Sequence, residues 1–477
     1  MLFNSFDFLL FFVVVISLFY LTPKKHRWLP LLVGNYLFYS LLKFEYLAII
    51  VTQTLITYYG ALAVKKQEDR GIKFRLYLFA LMFNVVTLVF FKYTDFILKS
   101  FSNLLQVFNP STNEISLGIV LPIGISFYTF QIIAYLTDVY WEQIEPETHL
   151  GKFAVFISFF PQLLAGPIER AFRILPQINE PASFESDNLL KGAKLFLLGM
   201  FYKVVVADRL SIYVDTIYNN ADLHSGGSFI VASFFFTLQI YGDFAGYSLM
   251  ALGTAKVLGF DLINNFNYPY LSRSISEFWN RWHISLSTWL RDYVFTPLTY
   301  NRLFGERFDK YRVELSVIIT FLISGLWHGA NWNFIFWGLL NGLFIAFGIK
   351  STKMRKKVKD KFGISNNLVF SLVLPWLFTF ILLNIMWIFF RSDSILMGFE
   401  IIGKIVSTPS SFFLGSRSQI IYSLIAVFLI VIYEILKCLK FDEEKSILRA
   451  FFFYASLIFI IVLFGVFDGS QFIYFQF

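Results

Sequence analysis

Long apolar runs separated by short polar or basic segments dominate the chain. They fall near 8–21, 28–42, 46–63, 76–91, 116–137, 189–206, 228–251, 315–349, 369–390, 419–437 and 450–467. Several reach the ~17–25 residues that a spanning helix needs. The pattern predicts an all-α polytopic membrane protein of about 11 spans. Three regions interrupt it: an acidic loop at 138–152, a proline-punctuated stretch at 167–194 that fits interfacial loops, and the longest polar region at 261–314. The run from Leu315 to Ile349 holds 35 consecutive residues without Asp, Glu, Lys or Arg, too long for one span and short for two with an ordinary loop. His328 lies within it between Gly325 and Gly329, so a bend or break is expected at the histidine. Non-helical backbone at that depth is tolerated only where protein buries it or where it lines a cavity.

The segment "SISEFWNRWHISLSTWLRDYVF" (274–295) has amphipathic periodicity. Ser274 and Glu277 have the spacing of a capping box. At 100° per residue, Trp279, Trp282, His283, Leu286, Leu290 and Tyr293 share one stripe. Arg281, Ser285, Thr288 and Asp292 lie opposite, and Glu277 and Arg281 are spaced to pair. One helix over 274–295 is predicted, lying along or dipping into the membrane, since spanning would expose its charges to lipid.

Composition agrees with this reading: 57% of residues are hydrophobic, 20% aromatic and 15% charged, against about 25% charged in soluble domains. The net charge of +8 resides mostly in the short loops "PKKHR" (23–27), "KKQEDRGIKFR" (65–75) and "KSTKMRKKVKDK" (350–361). It reads as a topology signal, not a nucleic-acid surface. By the positive-inside rule these loops are cytoplasmic and the N-terminus is outside. The first apolar run follows Asp7, not a positive charge, so it is not expected to be a cleaved signal. The single Cys438 excludes an intramolecular disulfide and a multi-cysteine metal cluster.

An ionisable group inside the membrane is a functional candidate by default. Two readings of each histidine are open, a hydrogen-bonded core residue or a reactive imidazole. Neutral imidazole is a competent base near pH 7, and acyl transfer from an activated thioester to a hydroxyl needs little more than a positioned base and exclusion of water. No metal is expected, because the histidines are 45 residues apart and no H-E-x-x-H segment occurs. Neither a G-x-S-x-G elbow nor a phosphate-binding glycine loop is present.

The segments "PQLLAGPIER" (161–170), "YGDFAGYSLMALGTAKVLGF" (241–260), "NFNYPYLSRSISEFWNRWHISLSTWLRDYVF" (265–295), "SGLWHGANWNFIFWGLLNGL" (324–343) and "FIYFQF" (472–477) together resemble the membrane-bound O-acyltransferase (MBOAT) family. Within it, they are similar to the bacterial branch containing the alginate O-acetyltransferase membrane subunit. The resemblance implies one membrane domain over 1–477, a ring of tilted helices with broken or re-entrant segments around a central tunnel. N-terminal spans would occupy 1–137, spans and interfacial loops 138–260, the catalytic helix and broken segment 261–349, and C-terminal spans 350–477. It implies His328 as the catalytic residue and His283 as its partner.

Other residues have two readings each. Asp243 could orient a histidine or make a structural hydrogen bond. Asn331 could donate to an oxyanion or satisfy the broken backbone. Arg281 and Arg291 could hold donor phosphates or lipid headgroups. Trp282 and Trp327 are tunnel candidates, and Glu169 and Arg170 could simply pair. The resemblance further implies acetyl-CoA as a donor substrate, with no tightly bound cofactor, in the bacterial cytoplasmic membrane. An extracytoplasmic esterase-like (SGNH-type) partner would finish transfer to a polysaccharide such as an alginate-like exopolysaccharide or peptidoglycan. D-alanyl transfer to teichoic acid from a carrier protein is an alternative. A glycan or lipid transporter is another, although the inverted repeats expected of one are not evident.

Overall fold

The computed structural model describes residues 3–41, 43–164, 166–300, 305–361, 369–441 and 444–467. The segment 472–477 lies outside the described residues. Among the described residues the chain is helical, without a β-strand. It divides into two compact units, 1–196 with 250–263, and 197–249 with 264–477.

In the first unit, α1 (Phe6–Leu21), α2 (Trp28–Ser40) and α3 (Phe44–Lys66) follow the apolar runs closely, whereas α4 (Arg70–Phe108) extends well beyond its predicted span at both ends. Asp69 starts it by accepting the Ile72 amide at 2.7 Å, and no proline interrupts it before Pro110. The run at 116–137 is helical only from Ile125, where α5 (Ile125–Tyr140) begins. Pro122 and the left-handed Gly124 (φ +82°) delay it. The Leu117 and Ile119 amides donate instead to the Asp95 carboxylate. Then come α6 (Leu150–Ser158) and the single turn α7 (Phe160–Leu163). Pro161 lacks the amide needed to continue α6, and buried Asn35 spans the break. It donates to Ser158 Oγ and accepts the Phe160 amide. The expected loop region 167–194 instead contains α8 (Ala171–Asn179) and the start of α9 (Ser186–Met200), which ends in the second unit. The amphipathic pattern burying Ile174, Leu175 and Ile178 outweighs the local polarity.

In the second unit, a π-helical segment, Phe201–Ala207, joins α9 to α10 (Asp208–Tyr218). It is followed by α11 (Gly226–Val257), whose last turns belong to the first unit. The site is built from α12 (Ile275–Trp279), α13 (Ile284–Leu290), α14 (Thr296–Tyr300), α15 (Arg312–His328), α16 (Trp332–Lys361) and α17 (Leu374–Arg391). Helices α18 (Ile395–Ser407), α19 (Arg417–Cys438) and α20 (Ile447–Phe464) complete the unit. Among the described residues, seven helices are long and apolar enough to cross a membrane. The protein is a multi-pass membrane protein.

Helices α15 and α16 form a tight hairpin. A Cβ on Gly325 would sit 2.2 Å from the Phe334 carbonyl oxygen, so only glycine lets the two backbones approach so closely. Gly325→Ala is expected to cost at least about 1–3 kcal/mol through overpacking, read as a lower melting temperature in detergent. Gly348→Ala, where a Cβ meets open space within α16, is the control and should not lower that temperature.

Candidate active site

The expected break at His328 is present. Helix α15 ends on that residue, Gly329 is extended (φ −164°), and α16 starts at Trp332. His328 is buried, with aromatic rings edge-on around it: Trp327 and Trp337 at 5.0 Å and Phe390 at 5.5 Å between centroids. Asn333, buried at the start of α16, ties this end to α17 by donating to the carbonyls of Ser392 at 2.7 Å and Phe389 at 3.4 Å. Nothing in the local sequence pattern had marked it, because its acceptors lie more than fifty residues away.

The single helix expected over 274–295 is broken at its centre. Five-residue α12 ends at Trp279, residues 280–283 turn, and α13 starts at Ile284. The start signal was correct in part. Ser274 Oγ accepts the Glu277 amide, but the Glu277 carboxylate accepts the Arg273 amide instead of completing the box. Of the predicted stripe, Trp279, Trp282, His283, Leu286 and Leu290 are buried, but Tyr293 is only half-buried, and Ser285 from the opposite side is buried too. Tertiary packing explains the break. Trp282 packs among Phe266, Phe278 and Tyr270, whereas His283 lies on Phe244 and Trp327. Burying both neighbouring rings fully requires the backbone to turn between them.

His283 accordingly adopts a left-handed conformation (φ +44°), which is costly for a non-glycine residue and persists only where the surroundings enforce it. Asn265 does so. Its carbonyl accepts the Ile284 amide at 3.0 Å and its side-chain oxygen accepts the Ser285 amide at 3.2 Å. Asn267 is joined to the Arg281 carbonyl alongside. Among the described residues, neither ring nitrogen of His283 has a hydrogen-bond partner, and burial pushes the imidazole pKa well below its ordinary value. The ring is therefore neutral.

Trp327 brings the two histidines together, its indole lying 5.0 Å from the His328 ring and 5.8 Å from the His283 ring. His283 also lies edge-on to Phe244 of α11 at 4.6 Å. Of the sequence candidates, His283, His328, Trp282 and Trp327 thus form one aromatic cluster. The next residue to Phe244 is Asp243, whose carboxylate is held in a buried ion cluster. It accepts from Lys203 Nζ at 2.6 Å, and the same ammonium is 2.8 Å from Asp208. All three side chains are buried. The Asn331 amide donates to the Asp393 carbonyl at an exposed position. The carbonyl it satisfies lies just beyond the end of α17 and not in the break itself.

Arg281 pairs with Glu277 at 2.9 Å, as the spacing predicts, and also donates to the Asn267 carbonyl. Arg291 is exposed beside Asp292. With Trp279, Asn280, Ser287, Thr288 and Phe321 it lines a cavity of about 290 Å³. In the first unit, buried Glu169 accepts the Ile263 amide and lies 3.5 Å from Arg173, and the charges of Arg173 and Arg170 both favour its ionised form. Burial nonetheless pushes its carboxyl up to about 6. Among the described residues, no three His, Cys, Asp or Glu side chains are grouped to hold a metal ion.

The family model described as MBOAT, membrane-bound O-acyltransferase family, matches residues 33–391. The chain is 36% identical over 403 residues to a probable alginate O-acetylase AlgI of Azotobacter vinelandii, covering 83% of this chain and 76% of that protein. It is 34% identical over 401 residues to a peptidoglycan O-acetyltransferase of Helicobacter pylori, covering 79% and 72%. A teichoic acid D-alanyltransferase of Streptococcus thermophilus is 33% identical over 245 residues, 49% of this chain and 58% of that protein. With the family model matched over most of its length, this chain belongs to the membrane-bound O-acyltransferase family and is a membrane-bound O-acyltransferase.

Proposed function

We propose that the protein moves an acetyl group from acetyl-CoA toward an extracytoplasmic acceptor, for O-acetylation of a cell-surface polysaccharide, with His328 as general base. The observation that carries this reading is the buried imidazole of His328 at a helix break, sharing Trp327 with the neutral His283. The names of the relatives, alginate O-acetylase and peptidoglycan O-acetyltransferase, support the acetyl group and the polymer class.

In the proposed step, the acceptor oxygen attacks the thioester carbonyl carbon while His328 takes the hydroxyl proton. The carbonyl π electrons move onto oxygen. When that oxyanion collapses, the C–S bond breaks and the thiolate leaves, recovering the proton from imidazolium. Alcohol and thioester become ester and thiol, and the base is restored. His283, held in place by Asn265, positions or stabilises charge beside it. The closed aromatic shell keeps water from the thioester. Arg291, on the cavity lined by Trp279, would hold the donor's phosphates. Trp279 packs on Trp337, which packs on His328, so that cavity is one aromatic layer from the base. In this reading, an extracytoplasmic SGNH-type partner takes the acetyl group onward.

Purified protein in lipid nanodiscs tests the donor. Acceptor-dependent release of CoA from acetyl-CoA is expected. Turnover with a D-alanyl carrier protein and none with acetyl-CoA would overturn this reading for D-alanyl transfer. Orientation is tested separately. The basic loops 23–27, 65–75 and 350–361 are proposed to be cytoplasmic and the N-terminus outside the cytoplasmic membrane. In a Cys438→Ser background, Lys24→Cys should resist an impermeant thiol reagent in intact cells and react after permeabilisation. Labelling in intact cells would reverse the assignment.

A further inference from the structure

We propose that the indole N–H groups of Trp282 and Trp387 bind the acyl carbonyl oxygen in this centre and stabilise the negative charge it gains during transfer. The inference rests on the assignment of the reaction to the His328–His283 cluster.

Both indoles are fully enclosed, Trp282 at 0% and Trp387 at 2% exposure, and neither Nε1 has a hydrogen-bond partner among the described residues. A buried donor left unpaired is costly, and native structures rarely keep one without a reason such as ligand binding or catalysis. Here two occur on adjacent rings, with centroids 5.4 Å apart. The hydroxyls of the two tyrosines packed on Trp282 are committed elsewhere. The Tyr241 hydroxyl donates to Glu434 and the Tyr270 hydroxyl to the Thr237 carbonyl, although both rings pack on Trp282 at 6.1 and 6.0 Å.

The pair lies one ring away from each histidine: Trp282 packs on Phe244 at 6.5 Å, and Phe244 packs on His283 at 4.6 Å. Trp282 is the chain neighbour of His283. Trp387 packs on Trp337 at 5.9 Å and on Phe390 at 5.3 Å, and both of those rings contact His328. Asn331, the donor suggested by sequence, is exposed and bonded to Asp393, which leaves the role open to these indoles. In the transfer step, the acceptor proton goes to His328 and the carbonyl π pair goes to the oxygen held by the two N–H groups. On collapse the pair returns, the C–S bond breaks, and the indoles neither gain nor lose a proton. Rigid donors aimed at developing charge in a dry site cost no reorganisation during reaction.

Trp387→Phe keeps an aromatic ring and removes the donor. Its kcat is expected to fall about 10²-fold with KM little changed, in the range seen when one oxyanion donor is lost. A merely structural tryptophan would lower the melting temperature and spare kcat per folded molecule. A wild-type measurement does not depend on how the variant folds. With indole-¹⁵N labelling, a non-reactive methyl-ketone analogue of acetyl-CoA (sulfur replaced by methylene) should shift the Trp282 and Trp387 side-chain N–H signals downfield. The proposal is overturned by wild-type kcat in Trp387→Phe, or by unmoved signals while the ketone competes with acetyl-CoA. If the ketone does not compete, the acetyl-CoA reading fails, and kcat of Trp387→Phe with the true acyl donor decides the matter. If His328→Ala retains transfer, the assignment of the centre itself fails. Loss of transfer in His328→Ala with full kcat in Trp387→Phe rejects the indole pair alone.

Discussion

His328→Ala is expected to abolish acyl transfer while the protein still inserts into the membrane. Loss of a positioned general base typically costs 10²–10⁴-fold in rate, enough to erase acetylated product in cells. The effect on the fold should be smaller, because the hairpin is held by the close contact at Gly325 and by the Asn333 bonds to α17, none of which involves the imidazole. The decisive quantity is acetyl transfer per inserted molecule. A purely structural histidine predicts lower abundance or melting temperature with specific activity retained, and near-normal specific activity would end the catalytic assignment. His283→Ala should reduce activity less completely, since water can partly replace an assisting group. Its left-handed backbone makes His283→Asn the better variant, because Asn tolerates that conformation.

Much of this centre was legible because its signals are local. A histidine between glycines in an uncharged run announces a break. A 3.6-residue stripe announces which rings are buried, and Trp282, His283 and Leu286 are buried even though the helix that predicted them is interrupted. The interruption was illegible because its cause is distant. The amides freed at Ile284 and Ser285 are taken by Asn265, which periodicity within 274–295 cannot reveal. Asn333 and Trp387 were missed for the same reason. Their partners come from other helices, and a lone tryptophan in an apolar run reads as ordinary packing. The late start of α5 was recoverable from Pro122 and Gly124, but hydropathy alone averaged over them.

Lys203→Met is expected to be among the most destabilising single substitutions in the second unit. It would leave the Asp208 and Asp243 carboxylates buried without the ammonium that lies 2.8 and 2.6 Å away. Breaking a buried ion pair by removing one partner typically costs about 3–5 kcal/mol. The loss would fall where the π-helical segment meets α11. A Cβ on Gly246 would come within 2.8 Å of the Gly199 carbonyl and the Lys203 amide, so the two backbones are already in close contact and cannot repack around a new side chain. A lysine in an apolar run was the available signal, and its partner Asp243 lies forty residues away on another helix. The expected readout is a large fall in melting temperature and membrane abundance. Asp243→Asn separates this account from the alternative in which Asp243 orients a histidine. Orientation predicts lost kcat at an unchanged melting temperature. The ion cluster predicts the reverse order, with stability falling first and activity falling with it. The reason is that Asp243 is tied to Lys203 in the ion cluster, while the ring on His283 is that of its neighbour Phe244, 4.6 Å from the imidazole. Full thermal stability of Lys203→Met would sink the ion-cluster account.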